Sequence, residues 1–157
     1  MISLDDYLVF VDDALDTMVH IVESLGDDLA NRRADIEGAN SPYAILTHCL
    51  GVMEYWGGHL VSGRPDHRDR ESEFRSVGSV GDLVARTAKA RRQLHLDVAG
   101  AEPLAPLRTA PGPEDANLPL GRSQGGALFH IYEELAQHLG QIEGCRDVLT
   151  TPWVRLA

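Results

Sequence analysis

The stretch that decides the fold is residues 123–149, which read SQGGALFHIYEELAQHLGQIEGCRDVL. Seven positions in it recur in alternating steps of three and four, namely Leu128, Ile131, Leu135, His138, Ile142, Cys145 and Leu149. Such steps place side chains on one face of an α-helix, in a heptad-like seam that packs against other helices. The pattern predicts a long helix that begins near Ser123 and ends before Pro152, with a histidine on its inward face.

Three further stretches have helical patterns, at residues 3–29, 41–63 and 79–100. The first begins with a capping box of Ser3 and Asp6, and the second opens with Ser41-Pro42, a capping hydroxyl followed by proline at the first helical position. No segment alternates with a period of two well enough to predict a strand. We therefore expect an all-α four-helix bundle that forms one domain over residues 1–157.

Residues 102–121 form a proline-rich connection before the last helix, with five of the eight prolines at Pro103, Pro106, Pro111, Pro113 and Pro119. This density of proline prevents a helix, and so long a loop inside a compact domain is unusual. Two interpretations stay open. The connection is either a crossover that lets neighbouring helices run in the same direction, or a lid over a ligand site.

The formal net charge of the 157-residue chain is −10, from 14 Lys+Arg and 24 Asp+Glu. This excess of negative charge argues against nucleic acid and against an anionic membrane as partners, because both are recognised through Lys and Arg. No apolar run approaches the roughly 20 residues that span a bilayer. The two cysteines, Cys49 and Cys145, are far apart in sequence, so we expect small core residues, no disulfide and a cytoplasmic location.

His130, Glu134 and His138 follow one another at intervals of four in the last helix. Glu134 and His138 are separated by about 40° around the axis and about 6 Å along it, so they share a face, whereas Glu133 points about 140° away from His138. His130 and His138 are about 12 Å apart along the axis, too far to share an ion whose bonds measure about 2 Å. Since His138 lies in the seam and His130 nearer its edge, we keep Glu134 and His138 as candidate ligands.

His48 is the best candidate for a third ligand, because it lies in the apolar second helix between Ile45 and Val52. His48, Glu134 and His138 would then form a metal site inside the bundle. Three protein ligands leave a position for water or substrate, as in reactive rather than structural sites. The set suits zinc and also iron(II), with nickel or manganese as alternatives. A hydrogen-bonded core without a metal is the competing interpretation.

The chain resembles the DinB-like superfamily of metal-binding four-helix bundles at His48 and in the stretch from His130 through Glu134 and His138 to Gln141. Glutamate at the middle position is similar to the N-terminal domain of the mycothiol-dependent maleylpyruvate isomerase branch and its small relatives. The resemblance implies a long crossover before the last helix, a divalent ion on His48, Glu134 and His138, and a homodimer. Leu139 departs from the arginine that many relatives carry after the last ligand.

Two functional hypotheses follow from the candidate site and the resemblance. In the first, the protein is a metal-dependent enzyme that activates a low-molecular-weight thiol such as mycothiol for transfer to, or isomerisation of, a small electrophilic substrate. In the second, it is a non-catalytic metal- or ligand-binding bundle that acts through dimerisation or a stress-response partner. In either case His130 and Gln141 are candidates for orienting the ligands.

Overall fold

The computed structural model describes residues 2–113, 115 and 122–151. In these residues the chain has five α-helices, one π-helical segment and no β-strand. The elements are α1 (Leu4–Ala30), α2 (Pro42–Val52), the π-helical segment (Met53–Val61), α3 (Arg70–Glu73), α4 (Val80–Ala99) and α5 (Gln124–Thr150). The predicted all-α bundle is confirmed, with α1, α2 and its π-helical extension, α4 and α5 as its four long members.

Each of the four long members begins directly after a serine whose hydroxyl accepts a hydrogen bond from the backbone N–H three residues later. The capping serines are Ser3, Ser41, Ser79 and Ser123. Each bond satisfies one of the N–H groups that the first helical turn leaves without a partner. At Ser3 the predicted capping box is complete, because the Asp6 carboxylate also accepts from the Ser3 backbone N–H. The starts of the helices are therefore determined locally.

The core of the bundle forms where α5 packs against α1, α2 and the π-helical segment, and where α4 packs against α1 and the π-helical segment. The predicted seam of α5 is buried at Leu128, Ile131, Leu135 and Ile142, but His138, Cys145 and Leu149 are partly exposed. Near the end of the seam Cys145 faces the loop between α1 and α2, where its thiol lies 3.6 Å from the Asn40 carbonyl oxygen.

Three local features differ from the pattern that the sequence predicts. The second helix changes to π-helical geometry at Met53, and the backbone of α1 leaves helical geometry at Gly26, where φ is 65° and ψ is 175°. The short helix α3 was not predicted, because four residues are too few to show an amphipathic period. It is capped by Asp69, whose carboxylate accepts from the Ser72 backbone N–H.

The proline-rich connection is non-helical from residue 102 to residue 113, as predicted, and the rest of it apart from Asp115 lies outside the described residues. Among the described residues α4 and α5 make no contact with each other, so they lie diagonally across the bundle. The connection therefore links two helices that are not neighbours, which agrees with the interpretation of a crossover. Gln124 anchors it, since its side-chain amide bonds the Glu102 N–H and the Pro106 carbonyl oxygen at 2.8 and 3.0 Å.

No helix in the described part of the chain is both long enough and apolar enough to cross a membrane. All four long members contribute buried apolar side chains to one cluster. The assignment of residues 1–157 to one domain stays a prediction.

Gly125 and Gly140 offer a matched test of how the connection is held against α5. A Cβ at Gly125 would lie 2.8 Å from the Pro103 carbonyl oxygen, whereas a Cβ at Gly140 meets nothing within 4 Å. We expect Gly125→Ala to lower the free energy of unfolding by about 1–3 kcal/mol through overpacking. Gly140→Ala should raise it by about 0.5–1 kcal/mol through helix propensity. Urea denaturation measures both, and equal effects would show that Pro103 does not press on α5.

Candidate metal centre

His48 in α2 meets Glu134 and His138 of α5 where the two helices pack. The Glu134 Oε2 atom lies 3.2 Å from His48 Nε2 and 3.3 Å from His138 Nε2. One potential ligand atom from each of the three residues lies within 4.8 Å of the other two. The two imidazole rings meet edge to face, with their centroids 4.8 Å apart. The structure thus brings together the three side chains that the sequence analysis singled out, and they could hold a metal ion.

The centre is closed on the α2 side and open on the α5 side. The His48 side chain is 3% exposed, whereas those of Glu134 and His138 are 23% and 15% exposed. His138 therefore lies at the edge of the buried seam and not in its middle. An ion held here would have one side in the bundle interior and the other within reach of a ligand from solution.

Both histidines make a hydrogen bond through the ring nitrogen that faces away from Glu134. His48 Nδ1 lies 2.8 Å from Glu73 Oε2, and His138 Nδ1 lies 2.8 Å from Gln141 Oε1. When Nδ1–H donates to such an acceptor, the Nε2 atom of a neutral ring keeps its lone pair for an ion. Histidines that bind metals nearly always have an outer hydrogen bond of this kind. Gln141 was a candidate for this role, and Glu73 was not.

The local charges favour a cation between His48 and Glu134. Hydrogen bonds from His138 and then from His48 hold the pKa of Glu134 well below its usual range, so this side chain is a carboxylate at neutral pH. Burial alone would lower the pKa of His48, but hydrogen bonds to Glu134 and Glu73 outweigh burial and raise it. The carboxylates of Glu134 and Glu73 thus favour positive charge at His48. A proton on His48 Nε2 supplies such charge, and a metal ion in place of that proton would supply it too.

A cavity of about 330 Å³ opens directly onto the centre, which is within the range of about 300–1,000 Å³ typical of small-molecule pockets. Its lining residues are His48, Val52, Trp56, Arg68, Arg70, Asp115, His130 and Glu134. Asp115 belongs to the proline-rich connection, which is tied to the bundle nearby by a 3.0 Å hydrogen bond from the Gly112 N–H to the Tyr55 hydroxyl. The connection therefore forms part of the wall of this cavity, which favours the interpretation that it serves a ligand site.

His130 lies beside the centre without joining the group of three potential ligands. Its Nδ1 atom is 3.0 Å from Glu133 Oε2, and its Nε2 atom is 3.9 Å from Glu134 Oε1. Its ring also packs edge-on against Trp56, with centroids 4.4 Å apart. Glu133, which points away from His138 as expected, thus pairs with His130 instead.

Sequence reasoning missed Glu73, Arg68 and Phe74, which complete the surroundings of His48. Glu73 is buried, and both of its oxygens accept hydrogen bonds from Arg68, at 2.7 and 3.0 Å. The Phe74 ring stacks on the His48 ring with centroids 4.6 Å apart. These residues lie between the second and third predicted helices, where no periodic pattern exists. The only local signal is the cap of α3 by Asp69.

A four-helix bundle with two histidines and a glutamate between facing helices defines a class of helical protein with an internal candidate metal site. The family described as Mycothiol-S-transferase matches residues 6–151 of this chain. The chain therefore belongs to the mycothiol S-transferase family, which is a DinB-like family, and the resemblance to the DinB-like superfamily is confirmed. A search of curated proteins found no match.

The two cysteines should differ in reactivity, because only one is accessible. Cys49 is fully buried, and burial raises the pKa of its thiol strongly, whereas Cys145 is partly exposed. In the native protein we expect iodoacetamide to label Cys145 slowly and Cys49 only after unfolding, since the thiolate is the reactive form. Peptide mass spectrometry measures both. Native labelling of Cys49 at the rate of free cysteine would contradict its place in the core.

Proposed function

We propose that this protein is a metal-dependent S-transferase that joins a low-molecular-weight thiol, mycothiol according to the family's description, to a small electrophilic substrate. One observation carries the proposal beyond the family. The Nε2 atoms of His48 and His138 lie 3.2 and 3.3 Å from the same oxygen of Glu134, and His48 and Glu134 line a cavity beside them. Family membership supports the thiol, and the three donor atoms support the ion.

Two of the distances within the donor set match those around a divalent ion of the size of zinc, and all three donor atoms lie within 4.8 Å of one another. In a tetrahedral zinc site with bonds of about 2.0–2.1 Å, neighbouring ligand atoms lie about 3.3 Å apart, close to the two distances from Glu134 Oε2. Two histidines and one carboxylate form a known catalytic zinc set, and the same set accepts iron(II), nickel or manganese. Zinc is our preferred ion, held by His48, Glu134 and His138.

When bound, a divalent ion supplies the positive charge that lowers the pKa of a coordinating thiol and makes its thiolate available near neutral pH. In the transfer, a bond forms between the thiol sulfur and an electrophilic carbon, and the leaving group departs with the electron pair of the bond that breaks. The thiol proton needs an acceptor in the cavity. His130 is placed for this task, because Glu133 engages its Nδ1 atom and leaves Nε2 as the basic nitrogen.

The remaining cavity residues suit a polar thiol beside a less polar electrophile. Arg68, Arg70 and Asp115 give the cavity charged groups of both signs, while Trp56 and Val52 supply an apolar wall. Arg70 brings positive charge to the cavity wall in a chain of net charge −10, whereas the charge of Arg68 is paired with Glu73. The homodimer and the cytoplasmic location stay predictions.

Metal binding is tested with the full chain purified without a histidine tag. We expect about one equivalent of zinc per chain by elemental analysis, and less than about a tenth of an equivalent in His138→Ala. Zinc at about 1,000 times its Kd should add about 4 kcal/mol to the free energy of unfolding of the metal-free protein. His20→Ala, on the exposed face of α1, is the matched control. Equal metal content in the wild type and in His138→Ala would contradict the proposed site.

Activity is tested by conjugation of mycothiol to a panel of small electrophiles. Glu134→Gln should abolish conjugation together with metal binding, whereas His130→Gln should keep its zinc and lower kcat by about 100-fold, as expected for loss of a general base. His95→Gln, a histidine paired with Asp12 on the far α1–α4 face, is the control for His130. A zinc-loaded protein that conjugates none of the electrophiles would favour the competing hypothesis of a non-catalytic metal- or ligand-binding bundle.

A further inference from the structure

Arg68 and Glu73 form an ion pair directly behind His48, on the side of the ring that faces away from Glu134. Glu73 Oε2 contacts His48 Nδ1 at 2.8 Å, and Arg68 donates to both Glu73 oxygens. The side chains of Arg68 and Glu73 are only 11% and 6% exposed. Neither residue is one of the three potential ligands, and Glu73 is separated from the Nε2 position by the imidazole ring. Their placement therefore needs an explanation other than metal coordination.

We propose that Arg68 and Glu73 are positioning residues for the metal centre, in which Glu73, clamped by Arg68, holds the proton of the neutral His48 ring on Nδ1 and leaves Nε2 to the ion. This inference rests on the proposed function, since it concerns the same centre. It assigns the hydrogen bond at His48 Nδ1 to Glu73, and it assigns to Arg68 the task of holding Glu73 in place.

The argument depends on a competition between two carboxylates for one proton. A neutral imidazole carries a single N–H, and His48 has a glutamate oxygen at each nitrogen, Glu73 at 2.8 Å and Glu134 at 3.2 Å. If Glu134 held the proton on Nε2, the lone pair that an ion requires would be lost. The Arg68 Nη2 donor also lies 3.4 Å from Nδ1, but the 2.8 Å contact with Glu73 is the shortest at this ring and favours the proton on Nδ1. Because the Arg68 guanidinium is always protonated, it keeps Glu73 as a pure acceptor.

The local fold is arranged to bring this carboxylate to His48. Glu73 is the last residue of the four-residue helix α3, and Arg68 lies just before the helix. Gly51, one turn after His48 in α2, provides the necessary space, because a Cβ there would lie 1.9 Å from Glu73 Oε1. α3 packs against α2. A single methyl group at position 51 of α2 would therefore displace the Glu73 carboxylate that Arg68 holds.

A second ion pair in the chain provides a matched control. Arg64 bonds both oxygens of Asp97, at 3.1 and 2.8 Å, and Asp97 is as buried as Glu73. This pair joins the end of the π-helical segment to α4 and contacts none of the three potential ligands. Loss of either pair should destabilise the fold, but only loss of the Arg68–Glu73 pair should alter the metal centre.

The experiment measures zinc affinity and the position of the His48 proton in full-length variants. By competition with a chelator, Glu73→Leu should raise the Kd for zinc by about 10- to 100-fold and Arg68→Met by about 10-fold. Glu73→Gln, whose amide oxygen still accepts a hydrogen bond, should have a smaller effect than Glu73→Leu. Asp97→Asn should leave the Kd within about twofold while it lowers the Tm.

Long-range proton–nitrogen NMR of the metal-free protein, at an alkaline pH where His48 is neutral, gives a readout that needs neither zinc nor activity. The wild type and Glu73→Gln should carry the proton on Nδ1, and Glu73→Leu on Nε2. An Nε2–H ring in the wild type, or a zinc Kd unchanged in folded Glu73→Leu and Glu73→Gln, would overturn the inference. A wild type that binds no zinc would contradict the proposed function, while the NMR experiment would still decide where Glu73 places the proton.

Discussion

A buried imidazole whose two nitrogens each face a carboxylate is the constraint on which the rest of this structure depends. His48 is almost fully buried, so both of its nitrogens need partners inside the protein. Glu134 of α5 supplies one partner, and Glu73 of α3 supplies the other. Each carboxylate has a further polar partner, since Arg68 donates two hydrogen bonds to Glu73 and His138 Nε2 lies 3.3 Å from Glu134 Oε2. Three separate segments of the chain are thereby tied to one side chain.

Helix α5 both packs in the core of the bundle and carries two residues of the candidate metal centre. Its apolar positions must pack against α1, α2 and the π-helical segment, while Glu134 and His138 must reach the opening beside α2. The helix meets both demands because the polar pair lies at the edge of the seam, with Leu135 and Ile142 buried next to it. The connection between the diagonal helices α4 and α5 contributes Asp115 to the cavity. Fold and site therefore share the same helix.

The two functional hypotheses, a transferase and a non-catalytic binding bundle, require different features of the metal centre and its surroundings. A binding bundle needs only the donor atoms, whereas a transferase also needs an opening large enough for a substrate and a base that can accept a proton. The structure has a cavity that reaches Glu134 and a histidine, His130, held by Glu133 at the same wall. Family membership points in the same direction. These features, more than the donor atoms alone, are why the catalytic interpretation is preferred.

The sequence by itself determined the four long helices and singled out the three candidate ligands, because helical periodicity, serine caps and the spacing of Glu134 and His138 are local properties. His48 could be proposed from its apolar helix, and its contact with Glu134 agrees. Only the tertiary structure decided that Glu73 and Arg68 stand behind His48, that His138 is partly exposed, and that α4 and α5 are diagonal. The physical reason is that these facts depend on which surfaces meet. Residues 64–78 contain no periodic pattern. Nothing local therefore indicates that the Glu73 carboxylate reaches the ring of His48, 25 positions earlier in the sequence.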